Sequence, residues 1–161
     1  MNNYCINERW IILLSFLIAL TLDMLPWPEQ IYMFRPSWLE LILVYWVMIL
    51  PHRINIGTGL LLGLIMDLIL GSTLGIRALL LSIIAYIIAF KDQLFRSITL
   101  WQQAVILILL TLLIDIIAFS IEFLVIKSSF RPEILWNSII NGILWPWLCL
   151  LMRKIRRPLI V

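Results

Sequence analysis

Charge is what this sequence has little of. Of its 161 residues 13% are charged and 63% are hydrophobic, with a mean hydropathy of +1.08. A soluble domain is nearer half apolar and a quarter charged, so this chain could not cover its surface with polar groups. A soluble enzyme and a disordered tail are excluded on that ground. Histidine is scarcer still: His52 stands alone in a Pro-His-Arg turn, with no metal-ligand spacing around it. The two cysteines, Cys5 and Cys149, fall in no CxxC or Cys/His pattern and cannot define a secreted disulfide scaffold, so they read as free thiols near membrane ends. The six glycines form no GxxxxGK[ST] phosphate loop. The N-terminus lacks the marks of a cleavable signal. Arg9 is balanced by Glu8, and the apolar run from Trp10 ends at Asp23 and Pro26 without a small-residue cleavage site.

What is present is a series of long apolar runs. They predict an all-α polytopic membrane protein, a single domain over residues 1–161, with about six spans at 9–25, 37–50, 54–71, 74–90, 101–126 and 134–152. Six spans of about 20 residues would leave only short loops. Pro26 and Pro28 close the first run, Pro51-His52-Arg53 divides the second from the third, and Gly71-Ser72-Thr73 ends the third. The runs are continuous rather than alternating, which favours helices over barrel strands.

Lys and Arg set the orientation. With the N-terminus inside, the inner segments carry Arg9, Arg53, Lys91, Arg96, Arg153, Lys154, Arg156 and Arg157, whereas the outer ones carry Arg35, Arg77, Lys127 and Arg131. Both termini are therefore expected in the cytoplasm. Trp10, Trp38, Trp101 and Trp136 open four of the spans, as interfacial anchors do. The modest net charge of +3 thus divides into a basic inner face and an acidic outer half. The basic run Arg153-Lys154-Ile155-Arg156-Arg157 reads first as a topology signal attracted to anionic lipid at about 1 kcal/mol per base, and second as a docking site; nucleic acid is not implied.

Polar residues inside the runs are the candidate functional groups. Gly59, Gly63, Asp67 and Gly71 recur every four residues and so share one helix stripe. Small residues allow close approach of a neighbouring helix, and a carboxylate at bilayer depth costs about 2.5–3.5 kcal/mol on insertion scales, so Asp67 should face protein or water. Asp115 and Glu122 share a face of the fifth span; Glu133, Asn137 and Asn141 form a stripe on the sixth. Asp67, Glu122, Glu133, Asn137 and Asn141 are expected in the outer half, with Asp23, Glu40 and Arg77 at outer span ends. Two readings stand for the acids: an outer-facing polar pocket that grips a ligand or partner, or interhelical bonds that fix the bundle. For the asparagines, packing is the preferred reading.

Phe34-Arg35-Pro36 before the second span is echoed by Phe130-Arg131-Pro132 before the sixth. Two helix starts using the same chemistry is preferred over a duplicated hairpin. Arg35 and Arg131 are candidates for contact with a partner or lipid headgroup. A catalytic aspartate pair, Asp67 with Asp115, is the enzymatic alternative. It is disfavoured because the two differ in expected depth and the glycine motif is GxxxD, not the GxGD of intramembrane aspartyl proteases. Ser15, Ser82 and Ser120 lack a base at useful spacing, so no enzyme, cofactor or metal is expected.

Over nearly its full length the chain resembles the MreD family of bacterial rod-shape proteins. The resemblance is carried by Trp10 through Trp27-Pro28, Phe34-Arg35-Pro36-Ser37-Trp38, Leu50-Pro51-His52-Arg53, and Gly57-Thr58-Gly59 to Asp67. It continues through Gly71-Ser72-Thr73-Leu74-Gly75, Arg77, Gln93-Leu94-Phe95-Arg96 and Trp101-Gln102-Gln103. It closes with Phe130-Arg131-Pro132-Glu133, Asn141-Gly142 to Trp145-Pro146-Trp147, and Met152-Arg153-Lys154. The resemblance implies a non-enzymatic subunit of the inner (cytoplasmic) membrane that acts in cell-wall elongation. Implied partners are the single-span MreC, the actin-like MreB, and the RodA glycosyltransferase with its transpeptidase. It also implies an architecture similar to the substrate-binding subunits of energy-coupling vitamin transporters.

The leading expectation is a membrane scaffold. Gly59, Gly63, Asp67 and Gly71 would pack helices and, with the outer polar residues, grip the MreC-like partner. Asp67, Arg77, Asp115, Glu122, Asn137 and Asn141 would form a buried polar network. The main rival is a subunit that binds a small solute or a lipid-linked wall precursor in the outer pocket.

Overall fold

The computed structural model describes residues 2–71, 73–127, 129 and 132–160, with side chains from 8 to 157 within those segments. Among the described residues it is all-helical, with no strand. The helices are α1 (Asn2–Met24), α2 (Trp38–Ile49), α3 (Ile56–Leu70), α4 (Ile76–Phe90), α5 (Asp92–Ser97), α6 (Leu100–Ile126) and α7 (Glu133–Ile160); a 3-10 turn spans Tyr32–Phe34.

Local chemistry sets most of the boundaries. Asn55 caps α3 by accepting from the Gly57 N–H at 3.2 Å. Thr99 and Gln102 form a reciprocal capping box at the start of α6. Gly71 ends α3 at φ +61° and Gly75 opens α4 at φ +100°, left-handed values that favour glycine. The sequence-based expectation for Gly71 is therefore corrected. A Cβ there would meet nothing within 4 Å, so it turns the chain rather than packing a neighbour.

Gly59 and Gly63 do bring helices together. A Cβ on Gly59 would lie 2.8 Å from the Leu81 carbonyl oxygen, and one on Gly63 would overlap the Ala78 backbone. The α3–α4 hairpin therefore packs backbone against backbone, as small residues permit. Gly142 does the same for α7 against α6, where an added Cβ would overlap the Ile108 side chain.

α2 is the centre of the bundle. Its Leu39 and the unbroken run Leu41–Met48 are all buried, the mark of a helix enclosed on every side. It touches α1, α4, α5 and α7, whereas α3 packs chiefly on α4. The periphery carries exposed apolar side chains, including Leu13, Leu17, Leu61, Leu68, Leu109 and Leu113. A belt of that kind suits lipid rather than water. Among the described residues two helices, Leu100–Ile126 and Glu133–Arg157, are long and apolar enough to cross a membrane; α3 and α4 are apolar but shorter.

Two departures from the sequence reading concern the polar segments. Residues 92–97, expected as a connection, form α5, an elbow that buries Phe95. The last helix does not stop at 152 but continues through the basic run to Ile160. The elbow is fixed by Arg96, which donates to the carbonyls of Met48 (2.8 Å) and Ile49 (3.0 Å) and so closes the C-terminus of α2. Gln103 joins it to the bundle by donating to the Phe95 carbonyl and accepting from the Trp145 indole N–H at 3.2 Å. At the same end an exposed Glu8–Arg53 ion pair (3.2 Å) ties α1 to the α2–α3 turn.

Candidate functional site

A helix that starts inside a bundle leaves backbone N–H groups that water cannot reach. Ser37 precedes α2 but makes no side-chain cap of its own. Other helices supply what is missing. Asp23, at the end of α1, accepts from the Trp38 N–H (3.2 Å) and the Leu39 N–H (3.1 Å) through its two oxygens. Asn141 of α7 accepts from the Ser37 N–H at 3.0 Å, and Asn137 donates to the Ser37 hydroxyl at 3.2 Å. A carboxylate here also faces the positive end of the α2 dipole.

Directly over this junction lies a cavity of about 260 Å³, walled by the end of α1, the 3-10 turn, and the adjoining turns of α2, α4, α6 and α7. Its lining is strongly acidic. Among the described residues Asp23, Glu40, Asp115, Glu122 and Glu133 face it with Arg35 and Arg77 in opposition. Asp115 accepts from the Ser138 hydroxyl at 3.2 Å, and the Arg35 guanidinium lies 5.9 Å from the Tyr32 ring centre. Among the described residues Glu40, Glu122, Glu133 and Arg77 make no hydrogen bond or close ion pair, although the Arg77 charge acts on Asp23, Glu40 and Asp115. The Asn137 side-chain oxygen, also in the wall, is buried without a donor. Among the described residues no three His, Cys, Asp or Glu side chains converge as metal ligands would.

The structure thus gathers Arg35, Arg77, Asp115, Glu122 and Asn137 around one cavity, with Asn141 beneath it. Asp67 is placed elsewhere. Only 1% exposed, it accepts from the Gly75 N–H (2.9 Å) and Ala78 N–H (3.4 Å) and so caps α4. Asp67 and Asp115 therefore answer to different partners, and only Asp115 lines the cavity. The glycine stripe is likewise not free to grip a partner, because α4 already covers Gly59 and Gly63. Phe130 and Arg131, half of the Phe-Arg-Pro echo, lie outside the described residues. Arg153, Lys154 and Arg157 are exposed at the opposite end, where Arg156 shares a small cleft with Glu8, Trp46 and Leu50. Cys149 is a buried free thiol, and the Cys5 side chain lies outside the described ones.

Sequence reasoning placed Asp23 and Glu40 at span ends but missed their convergence, and it missed Ser138, Gln103 and Arg96 as cross-helix contacts. Ser138 has a sequence signal in hindsight, since it lies between Asn137 and Asn141 on an apolar helix. The others depend on long-range folding that no local pattern records.

Comparison with known proteins gives two matches and one absence. Residues 5–155 match the family model described as rod shape-determining protein MreD. The chain is 44% identical over 150 residues to the rod shape-determining protein MreD of Haemophilus influenzae, covering 92% of this chain and 93% of that relative. No solved structure matches, so the expected likeness to vitamin-transporter subunits has no support from a known fold.

Proposed function

The chain belongs to the MreD family of rod shape-determining proteins, and from that membership we propose that it is a non-enzymatic scaffold of the bacterial inner membrane. In this reading six of its helices cross the bilayer, all but the elbow α5, and both termini lie in the cytoplasm. An MreC-like single-span protein binds at the acidic end, and the basic end sits beside anionic lipid and MreB. The assembly couples MreB to peptidoglycan synthesis by RodA and its transpeptidase.

The observation that carries a scaffold over a catalyst is the use made of the buried polar groups. Asp23, Asp67, Asn141 and Gln103 each bond the backbone of another segment, which fixes helices in place. A shared-proton aspartate pair would need two carboxylates facing each other, and Asp67 is engaged at the head of α4 instead.

The rival, a solute-binding or precursor-binding subunit, is favoured by the cavity itself. Its size weighs against that reading, since about 260 Å³ falls below the roughly 300–1,000 Å³ typical of small-molecule sites. Its excess of acidic over basic groups weighs against a lipid-linked pyrophosphate, which brings further negative charge and acceptors.

Photo-crosslinking in cells from positions 35, 77 and 122 tests the scaffold. Crosslinks from these cavity positions to the MreC-like protein are expected. Crosslinks only to lipid-linked precursor, from a folded and membrane-inserted chain, would sink the scaffold reading in favour of the rival.

A further inference from the structure

We infer that the acidic cavity is a receptor for a basic side chain, an arginine above all, presented by the protein partner at that end of the bundle. The inference rests on the scaffold reading for the identity of the partner class, and on the cavity for the chemistry.

The unmet groups in the walls are mainly acceptors. Asp23 is already engaged by the α2 N–H groups, and Asp115 has a single hydroxyl donor. Among the described residues Glu40, Glu122 and Glu133 have no hydrogen-bond donor, and the buried Asn137 oxygen has none either. Glu40 is the most telling of them. It stands in the first turn of α2 with its carboxyl enclosed by the surrounding helices, and the exposure it keeps is to the cavity it lines. Arg77 acts on it only at a distance, and an enclosed carboxyl group without a hydrogen-bond donor among the described residues is unfavourable and calls for one.

Three candidates could supply it, and the geometry separates them. A metal ion needs several ligands within bonding distance of one point, and the described residues form no such group. A lipid-linked or sugar-linked phosphate brings acceptors and negative charge, which would deepen the mismatch. A guanidinium brings five N–H donors in a rigid plane and no acceptor, and can serve carboxylates on different helices at once. The volume admits one long side chain. Arg77 acts on Asp23, Glu40 and Asp115, and Arg35 on Asp23, but among the described lining residues these two guanidiniums stand against five carboxyl groups, so acceptors remain in excess.

The test uses the full chain in nanodiscs of zwitterionic lipid, followed by thermal unfolding through tryptophan fluorescence. Acetyl-arginine amide, acetyl-glutamate amide and inorganic pyrophosphate are the probes. A saturable rise in melting temperature is expected with the arginine probe alone. Glu40→Gln and the exposed Glu122→Gln should each raise its half-saturating concentration about tenfold. A saturable response to pyrophosphate without one to arginine overturns the inference, as does an arginine response unchanged in both variants. Co-purification of the partner with the wild-type chain separates the two readings. Partner retained with no arginine response leaves the scaffold standing and removes the receptor. A variant-sensitive arginine response with no partner retained keeps the receptor and removes the scaffold.

Discussion

Asp23 and Asp67 hold equivalent places on successive helix pairs. Each lies near the C-terminal end of one helix and accepts the N–H groups that open the next: Trp38 and Leu39 for Asp23, Gly75 and Ala78 for Asp67. Both are buried, and both turn a hairpin in which the second helix begins inside the bundle. Asp115, on the third pair, departs from the pattern and takes a hydroxyl from Ser138 instead. With one donor against two for Asp23, it keeps the greater acceptor capacity toward the cavity that both line.

Replacing either capping aspartate with alanine is expected to destabilise the chain by about 1–2 kcal/mol. Asparagine should recover part of the loss, because its amide oxygen still accepts. The two effects should add, since the caps serve different helices. Unfolding midpoints in detergent measure this, and Asp67→Asn as damaging as Asp67→Ala would show that charge rather than acceptance matters.

Gly63→Ala and Gly71→Ala should fail differently. At Gly63 the new Cβ overlaps the Ala78 backbone, which cannot yield without parting α3 from α4, and overpacking of that kind costs about 1–3 kcal/mol or more. At Gly71 there is room, and the cost is the left-handed backbone, about 1–2 kcal/mol. Gly71→Asn should relieve most of the second effect. Recovery of monodisperse protein, compared across the three variants, decides the point.

Gln103→Leu removes both the acceptor of the Trp145 indole and the donor to Phe95. Trp145 is 1% exposed, so its stranded N–H should cost about 1–3 kcal/mol. By contrast, Glu8→Gln breaks an exposed ion pair and should cost under about 1 kcal/mol. Equal losses from the two substitutions would contradict the burial assigned to Gln103.

Sidedness is open to direct measurement. In a chain with Cys5 and Cys149 replaced by alanine, a cysteine at position 122 should react with an impermeant maleimide from outside the cytoplasmic membrane. A cysteine at position 157 should react only once that membrane is opened. Reaction of both from the same side would refute the orientation drawn from Lys and Arg.

Much of the fold was legible because apolar runs and their breaks are local. The expected runs at 37–50, 54–71, 74–90 and 101–126 lie within a few residues of α2, α3, α4 and α6. Polarity misled the reading at α5, where one buried residue, Phe95, anchors an otherwise polar turn of helix. It misled again at α7, since a basic run marks a membrane end without ending a helix. The cavity was only half legible. Polar residues at the outer ends of the runs could be named, but not which of them meet. Ser37 and Asn141 lie 104 residues apart in the chain, and Met48 and Arg96 lie 48 apart. Of the glycine stripe, Gly59 and Gly63 lie against the α4 backbone, whereas Gly71 shares the spacing for a reason of backbone conformation.

The enclosure of α2 bears on how the protein is made. At 12 residues it is about 18 Å long, well short of a hydrocarbon core of roughly 30 Å. Its ends are closed by Asp23 on one side and Arg96 on the other, and Asn141 arrives only with α7, 104 residues after Ser37. While the ribosome is still extending the chain, this segment has no complete set of neighbours and its first N–H groups lack part of their cap. In the membrane reading proposed above, α2 therefore gains its full set of neighbours only once α7 has docked, and a chain truncated before α7 is expected to leave this central segment uncovered.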